Sequence, residues 1–228
     1  MESWLIDESL AIDETALDAQ LKKLTVMRGK KTPALAIRIN DLFIYDTKKW
    51  FGSADIRLDA LVIHGPKEEH ANNFLYPSTY RFSGIKDGQR LPIVSPGQCL
   101  YYGHPCQFLD ISIFVSRDTK DSDELATLLN TELKSEEWQN AASSVLALSA
   151  AAPQAAAIAA AVGGAVTLGN IAYKVMKNIT SNTIGLYRVS WLQYRDQFGI
   201  GRHPETGAYR EQDFSFWYEV VLDIQQDT

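Results

Sequence analysis

Cys99 and Cys106 flank Gly103-His104-Pro105, a turn-forming stretch that sets two thiols and an imidazole close together in the sequence. Such a set can close a small disulfide loop in an oxidising compartment, or offer thiolates and His104 to a metal. Two Cys and one His nevertheless fall short of a closed tetrahedral site, so two free thiols are expected. Cys106 with His104 or His203 also has the residue types of a nucleophile and its base, but that chemistry requires hydrogen-bond reach, which spacing alone does not provide. His64, His70, His104 and His203 stand in separate turn-like contexts without the paired spacing of a helical metal site. No Gly-x-Ser-x-Gly elbow, phosphate-cradling glycine loop or His-Glu-x-x-His helix is present, and no enzymatic activity is expected.

The elements that hold these residues must be built from 228 residues, enough for a full core in one composite domain. The net charge of −6 argues against nucleic acid as the main partner. Lys22-Lys23, Arg28 with Lys30-Lys31, and Lys48-Lys49 are scattered clusters that suit a solvated surface. Met1 to Leu10 is acidic and has no positive region followed by an apolar core, so cytoplasmic residence is the default expectation, with signal-independent export as the alternative.

From Trp138 to Tyr173 there is no charged side chain, and Ala141 to Ala161 is mostly alanine around Pro153. Alanine favours helix, Ser135-Glu136-Glu137 supplies an N-cap and an acidic first turn, and Pro153 must end or kink the helix near Ala152. A second helix is predicted from about Gln154 to Lys177, where Gly163-Gly164 either permits a tight crossing or loosens the helix. Alanine is close to neutral for membrane insertion, so a hairpin covered by protein is favoured over a fixed span.

Elsewhere the period is two. After an N-terminal helix through Leu17, Leu21 and Leu24, strands are predicted at Leu35, Ile37 and Ile39, at Ile56 to Ile63 (apolar on both faces apart from Arg57 and Asp59), and at Tyr80 to Ile85. Beyond the Lys86-Asp87-Gly88 turn, Leu91 to Val94 continues the pattern, and Leu109, Ile111, Ile113 and Val115 form an inward row. The closing strand alternates Phe214, Phe216, Tyr218, Val220, Leu222 and Ile224, with Ile184 to Tyr194 as its expected partner. The fold class expected is mainly β with α: an antiparallel β-sandwich carrying an Ala-rich helical insertion before its last two strands. Its divisions are an N-terminal helix and linker over 1–32, a sandwich over 33–121 plus 183–226, and a helical insertion over 122–182, in which Ser122 caps a helix bearing Leu125, Leu128, Leu129 and Leu133.

Two acidic turns carry a resemblance. Asp46 to Leu58, with Gly52, Ser53 and Asp55, resembles the first calcium loop of C2-type domains, although Ala54 is extra and the Pro-Tyr pair that follows in that family is absent. Ile113 to Leu125 is similar to that family's third loop: Asp118 matches its second aspartate, Asp123 or Glu124 falls near its third, and Ser116 replaces its first. The resemblance spans Ala34 to Glu124 and the final two strands. It implies an eight-stranded sandwich in which Asp46, Asp55, Asp118 and Asp123 coordinate calcium and assist contact with phospholipid or protein, and Ser116 would lower that affinity.

The leading expectation is a non-enzymatic binding or assembly module. Its sandwich loops engage a protein or a phospholipid membrane, and its Ala-rich helices pack in an oligomeric or interdomain contact. The competing expectation is a membrane-active toxin or effector whose hairpin enters a bilayer. Within the first acidic loop Trp50-Phe51 has two readings, contact with lipid or a partner and the partly buried core place that tryptophan more often takes in a sandwich; Trp50 is left open between them, whereas Trp191 is expected in the core.

Overall fold

A computed structural model describes residues 34–65, 74–119, 123–150, 155–179 and 183–223. The predicted N-terminal helix, Ser122, His70, Pro153 and Ile224 lie outside them.

Among the described residues ten strands form two antiparallel sheets. In sheet A, β1 (Ala34–Ile44) pairs with β10 (Phe214–Asp223) on one side and with β4 (Gln89–Arg90) and β5 (Gln98–Gly103) on the other. The short strands β8 (Gly201–His203) and β9 (Tyr209–Glu211) line the far edge of β10. Sheet B runs β3 (Leu75–Ile85), β2 (Ala54–Gly65), β6 (Cys106–Arg117), β7 (Thr183–Leu192). Three of the strands are only two or three residues long, which takes the total beyond the eight implied by the resemblance.

Side-chain alternation sets what each strand buries. Leu35, Ile37 and Ile39 of β1 point into the space between the sheets, and a register shift between Ile39 and Asp41 then lets Leu42 and Ile44 point the same way. They meet Phe214, Phe216, Tyr218 and Val220 from β10, and from sheet B the inward rows Ile56, Leu58, Ala60, Val62 and Leu109, Ile111, Ile113, Val115. Sheet B also has a buried outer face. Leu61, Ile63, Phe108, Phe114 and Leu192 there pack beneath a helical layer made of α1 (Leu125–Glu132), α2 (Glu136–Ala150) and α3 (Ala155–Ile179). A strand apolar on both faces, as the sequence of β2 is, marks this middle layer.

The helices explain the neutral stretch. Ser135 Oγ accepts the Trp138 N–H at 3.2 Å, capping α2 as expected. Gly164 fits α3 against α2, since a Cβ there would lie 2.6 Å from the Ala141 carbonyl oxygen, while a Cβ on Gly163 would meet nothing within 4 Å. The cover of the hairpin is thus the outer face of the chain's own sheet B.

Two expectations are corrected. Ile184 to Tyr194 is not the ladder partner of the closing strand: β7 pairs with β6 in sheet B, and β10 with β1, β8 and β9 in sheet A. The two meet through the core instead, where the Phe214 ring lies against Gly185 so closely that a Cβ there would be 2.7 Å from Cδ1 of the ring. Leu91 to Val94 does not continue as a strand; the Leu91 N–H still reaches the Leu42 carbonyl at 2.8 Å, and beyond it the chain leaves β1, with Leu91 buried and Val94 exposed. The helical insertion precedes the last strands as expected, with β7 to β10 following it among the described residues.

Candidate functional site

The segment 45–53 joins the two sheets and is fixed at its base. Thr47, fully buried, donates both its N–H and its hydroxyl to Asp87 Oδ1 at 2.8 Å, and Tyr45 N–H reaches the Asp213 carbonyl at 2.7 Å. Lys48 takes a left-handed conformation (φ 59°), stabilised by its N–H to Asp46 Oδ1 at 2.6 Å. Its ammonium pairs with Asp213 and, at 3.3 Å, with Asp46. Asp213 holds that ammonium above its ordinary value, and the Lys48 N–H holds the Asp46 carboxyl below its own. Arg117 Nη1 donates to the Lys48 carbonyl at 2.9 Å, and Lys49 Nζ to that of Ser53. Gly52 then reverses the chain at φ 81°, where nothing crowds a Cβ and only backbone freedom calls for glycine.

On this anchored base stand Trp50 and Phe51, 89% and 79% exposed, in an edge-to-face pair with ring centroids 6.1 Å apart. Two adjacent aromatics face water from this fixed loop, and their apolar area is buried only on contact with something else.

The four aspartates of the calcium expectation are distributed around this end of the sandwich. Asp55 and Asp118 are adjacent, with the Asp118 N–H on the Asp55 carbonyl at 2.8 Å. Their carboxylates are already engaged: Asp55 Oδ1 accepts Gly84 N–H at 3.2 Å, and Asp118 Oδ2 lies 3.2 Å from Arg81 Nε. Asp46 is held by Lys48, and Asp123 turns its backbone carbonyl to Arg57 Nη1. Among the described residues no three His, Cys, Asp or Glu side chains converge as a metal-holding group. Asp121, a further carboxylate in the sequence of the second acidic turn, lies outside those residues.

The candidate nucleophile and base are also placed. Cys99 and Cys106 form no disulfide, and Cys99 Sγ donates to the Tyr101 carbonyl at 3.3 Å. His203 donates from Nε2 to the Gly199 carbonyl at 2.6 Å, and its ring packs between Trp191 and Tyr218. Trp191 itself is half-buried against the main core, with Nε1 on Tyr218 Oη at 3.2 Å. The groove between α2 and α3 is lined by Glu137, Asn140, Ser144, Ala160, Gly163 and Thr167, which offers one carboxylate and no nucleophile–base pair.

Sequence reasoning missed two buried ion pairs that pin the helical layer to sheet B. Arg57 Nε meets Asp59 Oδ2 at 2.6 Å with both side chains fully buried; Thr79 Oγ1 bonds Asp59 and accepts the first N–H of α1, from Leu125, at 2.9 Å. Arg188 Nη2 reaches both oxygens of Asp110 at 3.0 and 3.1 Å, its Nη1 donates to the Val166 carbonyl of α3 at 2.7 Å, and Ser190 completes the set. Gly169 makes room for that guanidinium, since a Cβ would sit 3.1 Å from Arg188 Cζ. Burial pushes the Asp59 and Asp110 carboxyls up, against the pull of their arginines. The charged residues inside otherwise apolar β2 were the available signal.

The fold and site define a β-sandwich with a helical layer on one sheet and a fixed aromatic loop at one end. Compared with known protein families, with curated proteins and with solved structures, the chain matches none.

Proposed function

We propose that the protein is a non-enzymatic binding module that engages a protein partner through the 45–53 loop, with Trp50 and Phe51 as the anchors. The observation that carries this is the contrast between the two ends of the loop: a base held by buried Thr47 and the Lys48 ion pairs, and a tip that leaves two large rings in water. A rigid aromatic anchor loses little entropy on binding, so it is an efficient contact residue. The helical layer serves the same task from the other side by stiffening sheet B. Self-association through the helices would use the side turned away from sheet B, where Ala156, Ala159, Ala160 and Gly163 are exposed.

The test compares the parent chain with W50A/F51A, matched for thermal midpoint, in affinity capture, in sedimentation, and on vesicles of phosphatidylcholine with phosphatidylserine. Loss of a tryptophan anchor should weaken a captured partner at least thirtyfold, on the ~2 kcal/mol typical of such residues. Equal capture by both chains would sink the proposal, and vesicle binding that disappears in the variant would reassign the loop to lipid.

The helical hairpin is the alternative membrane element. The stretch Ala156–Asn178 is long and apolar enough to cross a bilayer by length and composition, and half of it is buried within the protein. Its release would uncover Phe108 and Phe114 and strip Arg188 of the Val166 carbonyl, so the packed hairpin favours a structural role.

A further inference from the structure

The helices cover sheet B, and the outer face of sheet A is left with a different chemistry. Cross-strand register places Arg202 of β8, Glu219 of β10 and Arg38 of β1 in one row. A second row holds Arg210 of β9, Ser215 of β10, Phe43 of β1 and Arg90 of β4. Trp217 stands between the rows on β10, opposite Asp41. With strands ~4.8 Å apart and ~3.3 Å per residue, the arginines occupy the corners of a field roughly 10 to 14 Å wide and about 13 Å long.

Three of these guanidinium groups lie over aromatic rings: Arg202 4.5 Å from the Trp217 centroid, Arg210 4.5 Å from Tyr45, and Arg90 5.7 Å from Phe43. Stacking on a ring holds a guanidinium in place while its N–H edge stays available for a carboxylate. Arg90 is paired to Asp41 at 2.9 Å, and Arg202 donates to the carbonyls of Pro204 and Gly207. Among the described residues, neither Arg38 nor Arg210 has a side-chain hydrogen bond or an ion pair. Four arginines thus face two carboxylates, Asp41 and Glu219, on a chain whose net charge is −6. Glu219 is also taken by Asn40 Nδ2 at 3.0 Å.

We propose that the outer face of sheet A docks an acidic, extended protein segment, with carboxylates four residues apart bridging the two arginine rows and an apolar side chain between them over Trp217. Extended residues four apart are ~13 Å apart, the separation of the rows. A nucleic-acid duplex presents a charge every ~1.7 Å, more than this field can neutralise, whereas two spaced carboxylates match it. Apolar side chains suited to entering lipid stand on the 45–53 loop instead.

Isothermal titration of the full chain with a synthetic peptide bearing glutamates at i and i+4 around a leucine tests this, beside its glutamine counterpart, a single-stranded oligonucleotide and phosphatidylserine vesicles. The glutamate peptide should bind, more weakly as salt rises, and R38E/R210E should lose at least tenfold in affinity at an unchanged thermal midpoint. R38Q/R210Q, which avoids charge reversal, should lose affinity in the same direction if the reversed variant folds poorly. W50A/F51A should bind the peptide as the parent does, which separates this face from the loop. No binding, equal binding by the arginine variants, or preference for the oligonucleotide or the vesicles overturns the proposal.

Discussion

Asp110 sits fully buried between sheet B and α3 with Arg188 and Ser190 as its partners, so its removal strands a cation rather than deleting a bond. Breaking one side of such a pair costs about 3–5 kcal/mol, whereas exchanging both partners for apolar residues of similar volume is often close to neutral. Asp110→Asn should therefore destabilise strongly in urea unfolding, and D110L/R188M should recover much of the loss; equal losses would show that the pair is not the unit that matters. The carboxylates of the acidic turns lead to a second expectation. Because Asp118 and Asp46 already have cationic partners, millimolar calcium should move the melting midpoint by less than about 1 °C, as a ion with little affinity for the folded form adds no stability. A clear calcium-dependent rise would place the metal at this end of the sandwich, as the resemblance implies. At this scale the sequence was partly legible. Trp50-Phe51 stood out beside lysines and turn residues, but its exposure follows from Thr47 and Asp87, forty residues apart, meeting at the loop base. Arg57 and Asp59 looked like interruptions of an apolar run, because their role depends on a helix placed over them from later in the chain.

Among the elements, the α2–α3 pair was the most readable, since helix propensity, capping and proline are local signals. Ser135 caps where expected, and the second helix is described from Ala155, while Pro153 lies outside the described residues. Whether the two glycines tighten or loosen the pair was not legible, because it depends on what α2 sets opposite each. The geometry separates them sharply. Gly163→Ala should stabilise by about 0.5–1 kcal/mol through helix propensity alone, and Gly164→Ala should destabilise by roughly 1–3 kcal/mol through crowding against the Ala141 carbonyl. Chemical denaturation of the two variants checks both; a shared sign would mean that the crossing is looser than the packing shows. Strand existence was legible from alternation, but strand pairing was not. Nothing in Ile184 to Tyr194 says that its ladder partner is β6, because ladder bonds are made by backbone and carry no side-chain code. Neighbours in sequence were the default partners, and Gly185 against Phe214 turned that neighbourhood into a contact across the core.

For the whole molecule, the neutral alanine-rich stretch proved the most informative feature: a surface of that kind calls for cover, and sheet B covers one side of it. The dependence is mutual. Deleting 141–168 would bare Leu61, Ile63, Phe108 and Phe114 on the outer face of sheet B, and such a contiguous apolar patch drives association. Light scattering should show aggregation of that variant, while a monodisperse, cooperatively folded product would mean that the sandwich needs no helical cover. The sandwich class follows from many short amphipathic strands, but the assignment of strands to layers required β2 and β6 to be recognised as buried on both sides. Sheet A has a further consequence, because β1 and β10 are antiparallel neighbours and Ala34 faces Asp223 in their register. A pull applied at those two points loads the ladder one rung at a time, beginning with the rung nearest the grips. The described fold should consequently peel open under tension at low force, however well its interior resists denaturant.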